Sequence, residues 1–255
     1  MRWRYSRDMA EPTAGRFGRL FARRSALPTE RDWERSVVLE PRRVSHEPDL
    51  ISDGAGLPFP PAALAGPAGP LDLDDPPVRA LMAQLARRKT APATPDARSL
   101  QGWRVLARHD DEVLFGRGLP PDLVTVAMRR EPRRRSWTCS AVSTARPLRA
   151  TRDGIRASGW RRDLTGESGP QDTIVRVLVT EQTWAGGTRA DARLLEPDLH
   201  VGADELVLTM FVAPRPGFQV RSPNPETPAR VVLPSPIGGR RLVDGALYAG
   251  GSAAE

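Results

Sequence analysis

Trp103-Arg104-Val105-Leu106-Ala107-Arg108, then Glu112-Val113-Leu114-Phe115-Gly116, then Asp122-Leu123-Val124-Thr125-Val126-Ala127-Met128 is the stretch that decides the fold. Its apolar residues recur every second position, the period of a strand whose side chains point alternately to opposite faces. Trp103, Val105 and Ala107 fall on one face, as do Val124, Val126 and Met128. Ser136–Val142 continues the pattern with Trp137, Cys139 and Ala141, and Ile155–Trp160 follows more weakly. Thr173–Thr180 and Glu205–Val212 are rich in Val, Ile, Leu and Phe, as a strand buried on both faces would be. Arg230–Leu233 and Leu242–Leu247 complete the set. Turn residues stand between these runs at Gly116-Arg117-Gly118, Asp153-Gly154, Gly186-Gly187 and Gly238-Gly239. The expected fold is mainly β: an antiparallel β-sandwich or small barrel over about residues 100–250. A largely disordered N-terminal third with one or two short helices precedes it.

Upstream of Trp103 the period changes. Val78, Leu81, Met82 and Leu85 recur at i, i+3, i+4 and i+7, one apolar stripe of a helix over residues 74–90. Asp74 or Asp75 can cap it, Pro76-Pro77 suits a first turn that needs no amide donor, and Arg87, Arg88 and Lys89 suit its C-terminal end. Residues 52–73 are rich in Gly, Ala and Pro and read as a linker. Residues 1–51 read as an Arg-rich, poorly ordered segment. Phe17, Leu20 and Phe21 mark one short helical piece there, and a helix capped by Thr29 presents Trp33 and Val37. The β domain itself is expected over residues 100–248.

The 255 residues include 26 prolines and are 39% hydrophobic, so a normal core over only part of the length is expected. Net charge is +7 and the sequence pI about 10.8. Basicity of this size invites nucleic acid or an anionic membrane as partner. Lys89 is the only lysine and Asn224 the only asparagine, however, which fits a GC-rich coding sequence that replaces Lys by Arg regardless of function. Charge is segregated. Residues 1–43 carry net +5, 44–77 net −6, 129–162 net +9 and 163–213 net −6, so opposite blocks are expected to face each other. One cysteine, Cys139, excludes an internal disulfide and a Cys-based zinc site. The charged start Met1-Arg2-Trp3-Arg4 lacks the apolar run of a secretory signal, and no apolar stretch is long enough to span a membrane. The location expected from this is the cytoplasm.

From Trp103 onward the chain resembles a family of uncharacterised actinobacterial proteins, many of them exported or lipid-anchored. The likeness lies in Val113-Leu114-Phe115-Gly116, Leu178-Val179-Thr180-Glu181, Asn224-Pro225-Glu226-Thr227-Pro228, Leu233-Pro234-Ser235-Pro236-Ile237-Gly238-Gly239-Arg240 and Arg241-Leu242-Val243-Asp244-Gly245. The resemblance covers roughly residues 102–248. It implies a shared β fold and brings no activity with it. Where members of that family carry two apparently bridged cysteines, this chain has Trp184 and Ser222, a substitution consistent with a reducing compartment.

Gly166-Glu167-Ser168-Gly169-Pro170 faintly resembles a protease nucleophile turn, but a serine nucleophile needs a histidine base held by a carboxylate, and the histidines are His46, His109 and His200 only. Glu196, Asp198 and His200 alternate and would share a strand face, a donor set suited to a divalent cation, although Pro197 argues against a regular strand. Cys139 lies near Arg133, Arg134 and Arg135, yet its alternation places it inward as a structural thiol. The chain shows no phosphate loop, no paired catalytic carboxylates and no cofactor fingerprint. No catalytic residue, metal ligand or cofactor is therefore assigned.

The leading expectation is a non-enzymatic protein-interaction module, an adaptor or assembly element. Its partner is another protein, and Val78, Leu81, Met82 and Leu85 are the candidate docking stripe, which buries itself either on the β domain or on that partner. The alternative is an anion binder contacting nucleic acid or acidic membrane through Arg129, Arg130, Arg133, Arg134 and Arg135, beside Trp137, together with the Arg16–Arg24 segment.

Overall fold

A computed structural model of the chain describes residues 27–53, 56–87, 99–163, 169–181, 187–217 and 224–248. The Arg16–Arg24 segment with its Phe17–Phe21 piece, Arg88 and Lys89, Ser168, Trp184 and Ser222 lie outside the described residues. Within them the fold is mainly β. Fourteen strands form two sheets, accompanied by two α-helices, α1 (Glu30–Glu34) and α2 (Pro76–Arg87).

The smaller sheet is a meander of β4 (Trp103–Arg108), β5 (Glu112–Arg117), β6 (Val124–Arg130) and β7 (Trp137–Thr144), all antiparallel. It is covered on both sides. One face packs Trp103, Val113, Phe115, Val126 and Met128 against Val78, Leu81 and Leu85 of α2. The other packs Leu106, Leu114 and Ala127 against Leu50, Phe59, Leu64 and Leu148. That double cover is why β5 reads as an unbroken apolar run. Strict alternation fails at two places. Register shifts fall between Val105 and Ala107 in β4 and beside Ser140 in β7, so Ala107 and Ala141 join the face opposite Trp103 and Trp137.

The larger sheet has the order β1 (Val37–Leu39), β13 (Thr227–Val232), β10 (Ile174–Thr180), β9 (Ile155–Arg162), β12 (Glu205–Phe211), β11 (Asp198–Val201), β2 (Arg42–Arg43). Off this path, β14 (Arg241–Asp244) pairs with β12, and β3 (Asp49–Ser52) pairs with β8 (Leu148–Arg152), which continues into β9. β9 is the pivot. Its start pairs with β8, its middle with β12 and its end with β10, which curls the sheet. The expected antiparallel pairing holds except for β1–β13, β2–β11 and β12–β14, which are parallel. Val175, Val177, Val179, Leu199, Leu206, Leu208, Met210 and Val231 fill its core.

The N-terminal segment and the presumed linker need correcting. Residues 37–52 supply three strands of the larger sheet, and Phe59 and Leu64 of the Pro-rich stretch are buried. These strands are two to four residues long and pair with partners at least 96 residues away, so no local pattern announces them. The α1 helix anchors this segment. Thr29 and Asp32 form a reciprocal capping box, and Trp33 is buried with the Arg176 guanidinium 5.2 Å from its ring centre. The Thr29 amide, the Thr29 hydroxyl and Arg189 together hold the Asp32 carboxyl down at about 2.

Two glycines sit where neighbouring strands touch. A Cβ on Gly116 would lie 2.5 Å from Leu106, and one on Gly245 would lie 2.3 Å from the Thr209 hydroxyl and 2.8 Å from Val207.

Candidate functional site

The Arg-rich cluster is the tip of the β6–β7 hairpin. Its turn is closed by the Glu131 amide donating to the Ser136 carbonyl at 2.8 Å and the Arg135 amide donating to Glu131 at 2.9 Å. Arg135 takes φ 49°, a left-handed conformation, and its side chain lines the groove beside the hairpin. Arg129, Arg130, Arg133, Arg134 and Arg135 are all exposed. Below them lies an open groove of about 610 Å³ between the hairpin and the start of α2, lined by Asp75, Arg108, His109, Asp110, Arg130, Arg135 and Trp137 among others. Asp75 is already engaged by Arg108, so it does not neutralise the groove's other arginines.

What marks this tip is the number of unpaired arginines gathered on one turn. The segregated blocks do meet: Arg149 bonds Asp53 and Arg152 bonds Asp198. Outside that pattern, Arg161 grips Glu226 with two bonds of 2.7 Å, and Arg193 grips the buried Glu181 within one acidic block. At the hairpin, Arg134 reaches Glu131 only at 3.9 Å. Among the described residues, Arg129, Arg130, Arg133 and Arg135 have no carboxylate partner for their side chains. A guanidinium left unpaired on a rigid hairpin keeps its full donor set for an incoming anion. Sequence reading found these arginines and Trp137. It missed His109, Asp110 and Arg108, which a different hairpin, β4–β5, brings to the same groove.

The helical stripe does something else. Val78, Leu81 and Leu85 are buried in the chain's own core, and Met82 alone, 42% exposed, faces outward. Of the two places open to the stripe, the structure shows the β domain: it is an internal packing surface, and the partner-docking reading of these four residues is corrected. Trp137 and Cys139 are half-buried on the α2 face, as their alternation predicts.

Glu196, Asp198 and His200 do not converge as one donor set. Asp198 is buried and saturated: Arg42 donates at 3.0 and 3.2 Å and Arg152 at 2.8 Å. Glu196 contributes its carbonyl to Arg152, and the His200 ring is exposed. His46, Asp198, His200, Glu205 and Asp244 do border a largely apolar cavity of about 320 Å³, whose walls include Leu50, Val207, Val243 and Tyr248. No group of three or more His, Cys, Asp or Glu side chains among the described residues is arranged to hold a metal ion.

Asp244, at the border of that cavity, has a displaced pKa. Burial pushes it above the ordinary 3.8, and the amides of Ala246 and Trp160, with Arg149, oppose the shift. With a raised folded pKa, the folded chain holds this proton after the unfolded chain has lost it. Stability therefore falls as pH rises from the ordinary aspartate range through the folded value. Asp244→Asn is expected to flatten that slope, measured as urea-unfolding free energy at pH steps from about 3.5 upward. An unchanged slope in the variant would remove Asp244 as its source.

No helix among the described residues is long and apolar enough to cross a membrane. Neither a protein-family model, nor a curated protein, nor a solved structure matches this chain.

Proposed function

We propose that the protein is a non-enzymatic interaction module that holds an acidic segment of another protein at the tip of the β6–β7 hairpin. The observation that carries this reading is the set of unpaired, exposed arginines around a half-buried tryptophan, in a chain that pairs many of its other arginines with carboxylates. A tryptophan beside guanidinium groups is the composition of a recognition patch. Trp137 is the groove's one aromatic stacking platform apart from His109, where single-stranded nucleic acid uses several, and this favours a protein segment.

The test compares the full chain with an Arg133→Ala, Arg134→Ala, Arg135→Ala variant against poly-glutamate, duplex DNA, single-stranded DNA and phosphatidylserine vesicles. Three rim charges worth up to about 1 kcal/mol each predict a roughly tenfold to hundredfold loss of poly-glutamate affinity. Binding in the parent should weaken as salt rises. Equal affinity in parent and variant would sink the proposal, and tighter binding to DNA or vesicles than to poly-glutamate would replace it with the anion-binder reading.

A further inference from the structure

The smaller sheet ends in two edge strands that are treated differently. The β4 edge carries Arg104 and Arg108 and a bulge. The Arg104 guanidinium donates to the carbonyls of Leu64, Ala65 and Gly66, tying the Pro61–Leu64 turn over that edge. Charges, bulges and covering loops are the usual means of blocking strand addition. The β7 edge carries a bulge of its own, beside Ser140, but no charge and, among the described residues, no loop tied across it by an arginine. Trp137-Thr138-Cys139-Ser140-Ala141-Val142-Ser143-Thr144 contains no charge and no proline, and among the described residues β7 pairs with β6 alone. Backbone bonds join Glu131 to Ser136 at one end of the ladder and Ala145 to Leu123 at the other. By antiparallel alternation from the Leu123–Ala145 end, Thr125–Ser143 is a bonded pair, and the amides of Val142 and Thr144 point away from β6.

We infer that the acidic segment adds to β7 as an extended strand, its main chain bonding the outward edge and its carboxylates meeting Arg133, Arg134 and Arg135 at the start of the strand. This rests on the interaction reading above and specifies the geometry of the partner. Charge selects the occupant. Two copies of β7 joined antiparallel would set each Arg133–Arg135 tip beside the other copy's exposed Arg146, so a second copy of the chain is disfavoured. A segment with alternating acidic and β-branched residues fits both the uncharged edge and the basic tip.

The experiment uses the full-length chain and an end-capped octapeptide of alternating Glu and Val. Binding should protect the Val142 and Thr144 amides from hydrogen exchange. Thr144→Pro, which removes an outward donor at the exposed end of the strand, should weaken the peptide at least tenfold. Because that variant can also perturb folding, a peptide N-methylated at alternate residues serves as the second probe. Methylation in one of the two registers should abolish binding, and in the other should be tolerated. Arg-dependent binding with unchanged Val142 and Thr144 exchange and equal affinity for both methylated peptides overturns strand addition while leaving acidic docking in place. No binding of the octapeptide or poly-glutamate defeats both. Protection of the same amides by self-association, growing with protein concentration alone, assigns the edge to a second copy and overturns the inference.

Discussion

A chain lacking residues 1–98 is expected not to fold. The deletion strips three strands from the larger sheet, leaving β13, β11 and β8 without the partners supplied by β1, β2 and β3. It also uncovers both faces of the smaller sheet at once: Leu50, Phe59 and Leu64 leave one side, and Val78, Leu81 and Leu85 leave the other. Six buried apolar side chains at about 1.5–3 kcal/mol each sum to roughly 9–18 kcal/mol. That rivals the whole stability of an ordinary domain, about 5–15 kcal/mol. Far-UV circular dichroism and thermal unfolding decide the matter. A cooperative transition in the truncated chain would mean that α2 and β1–β3 are appendages. A chain beginning at Leu27 is the companion control, since it keeps every contact described above.

Asp198→Ala should be the most damaging single change among the charged residues singled out in the sequence. Asp198 is 5% exposed, and its carboxylate ties β2 through Arg42 and β8 through Arg152 to β11. The Arg42 side chain is half-exposed, so its share of the bond is screened by water. Arg152 is not so free. Its guanidinium is 4.4 Å from the centre of the buried Phe211 ring, and without Asp198 it keeps only the Glu196 carbonyl. A buried charge stripped of its partner costs about 3–5 kcal/mol, and the half-exposed half of this triad sets the expectation at the lower end, about 3 kcal/mol. Urea unfolding of Asp198→Ala and of the double variant Asp198→Ala, Arg152→Met measures it. The double variant, which removes the orphaned cation, should recover part of the loss. A single variant within about 0.5 kcal/mol of the parent would show that the triad is a surface ornament.

How far the fold can be read from residues depends on how local its pairings are. β4 to β7 form hairpins with near neighbours, so alternation in Trp103–Thr144 revealed them, and only the bulges at Leu106 and Ser140 moved side chains to the unexpected face. β8 was missed, although Asp153-Gly154 marks its turn. Both residues adopt positive φ, 52° and 76°, as the tight turn between β8 and β9 requires. Arg42-Arg43 could not have been read as a strand. Two charged residues carry no period, and only their pairing with Asp198 and Leu199 makes them one. The same limit applies to the site. The arginine run is visible in one dimension, but whether each guanidinium is spent on a carboxylate depends on contacts across the fold. Arg152 and Arg133 look alike in sequence and have opposite fates. The amphipathic stripe of α2 was equally plain, while the surface it covers, Phe115 and Met128, lies on strands beyond it.

The parallel pairing of β1 with β13 has a consequence for biosynthesis. Val37–Leu39 finds its partner at Ala229–Val231, so the first strand of the larger sheet emerges from the ribosome long before the strand that completes it. At about 5–20 residues per second the interval is roughly 10–40 seconds. During that time Leu39 and Trp33 have no β13 to bury them. The nascent chain must either be shielded by a chaperone or wait as a loosely collapsed intermediate, and this sheet cannot close vectorially from its first strand.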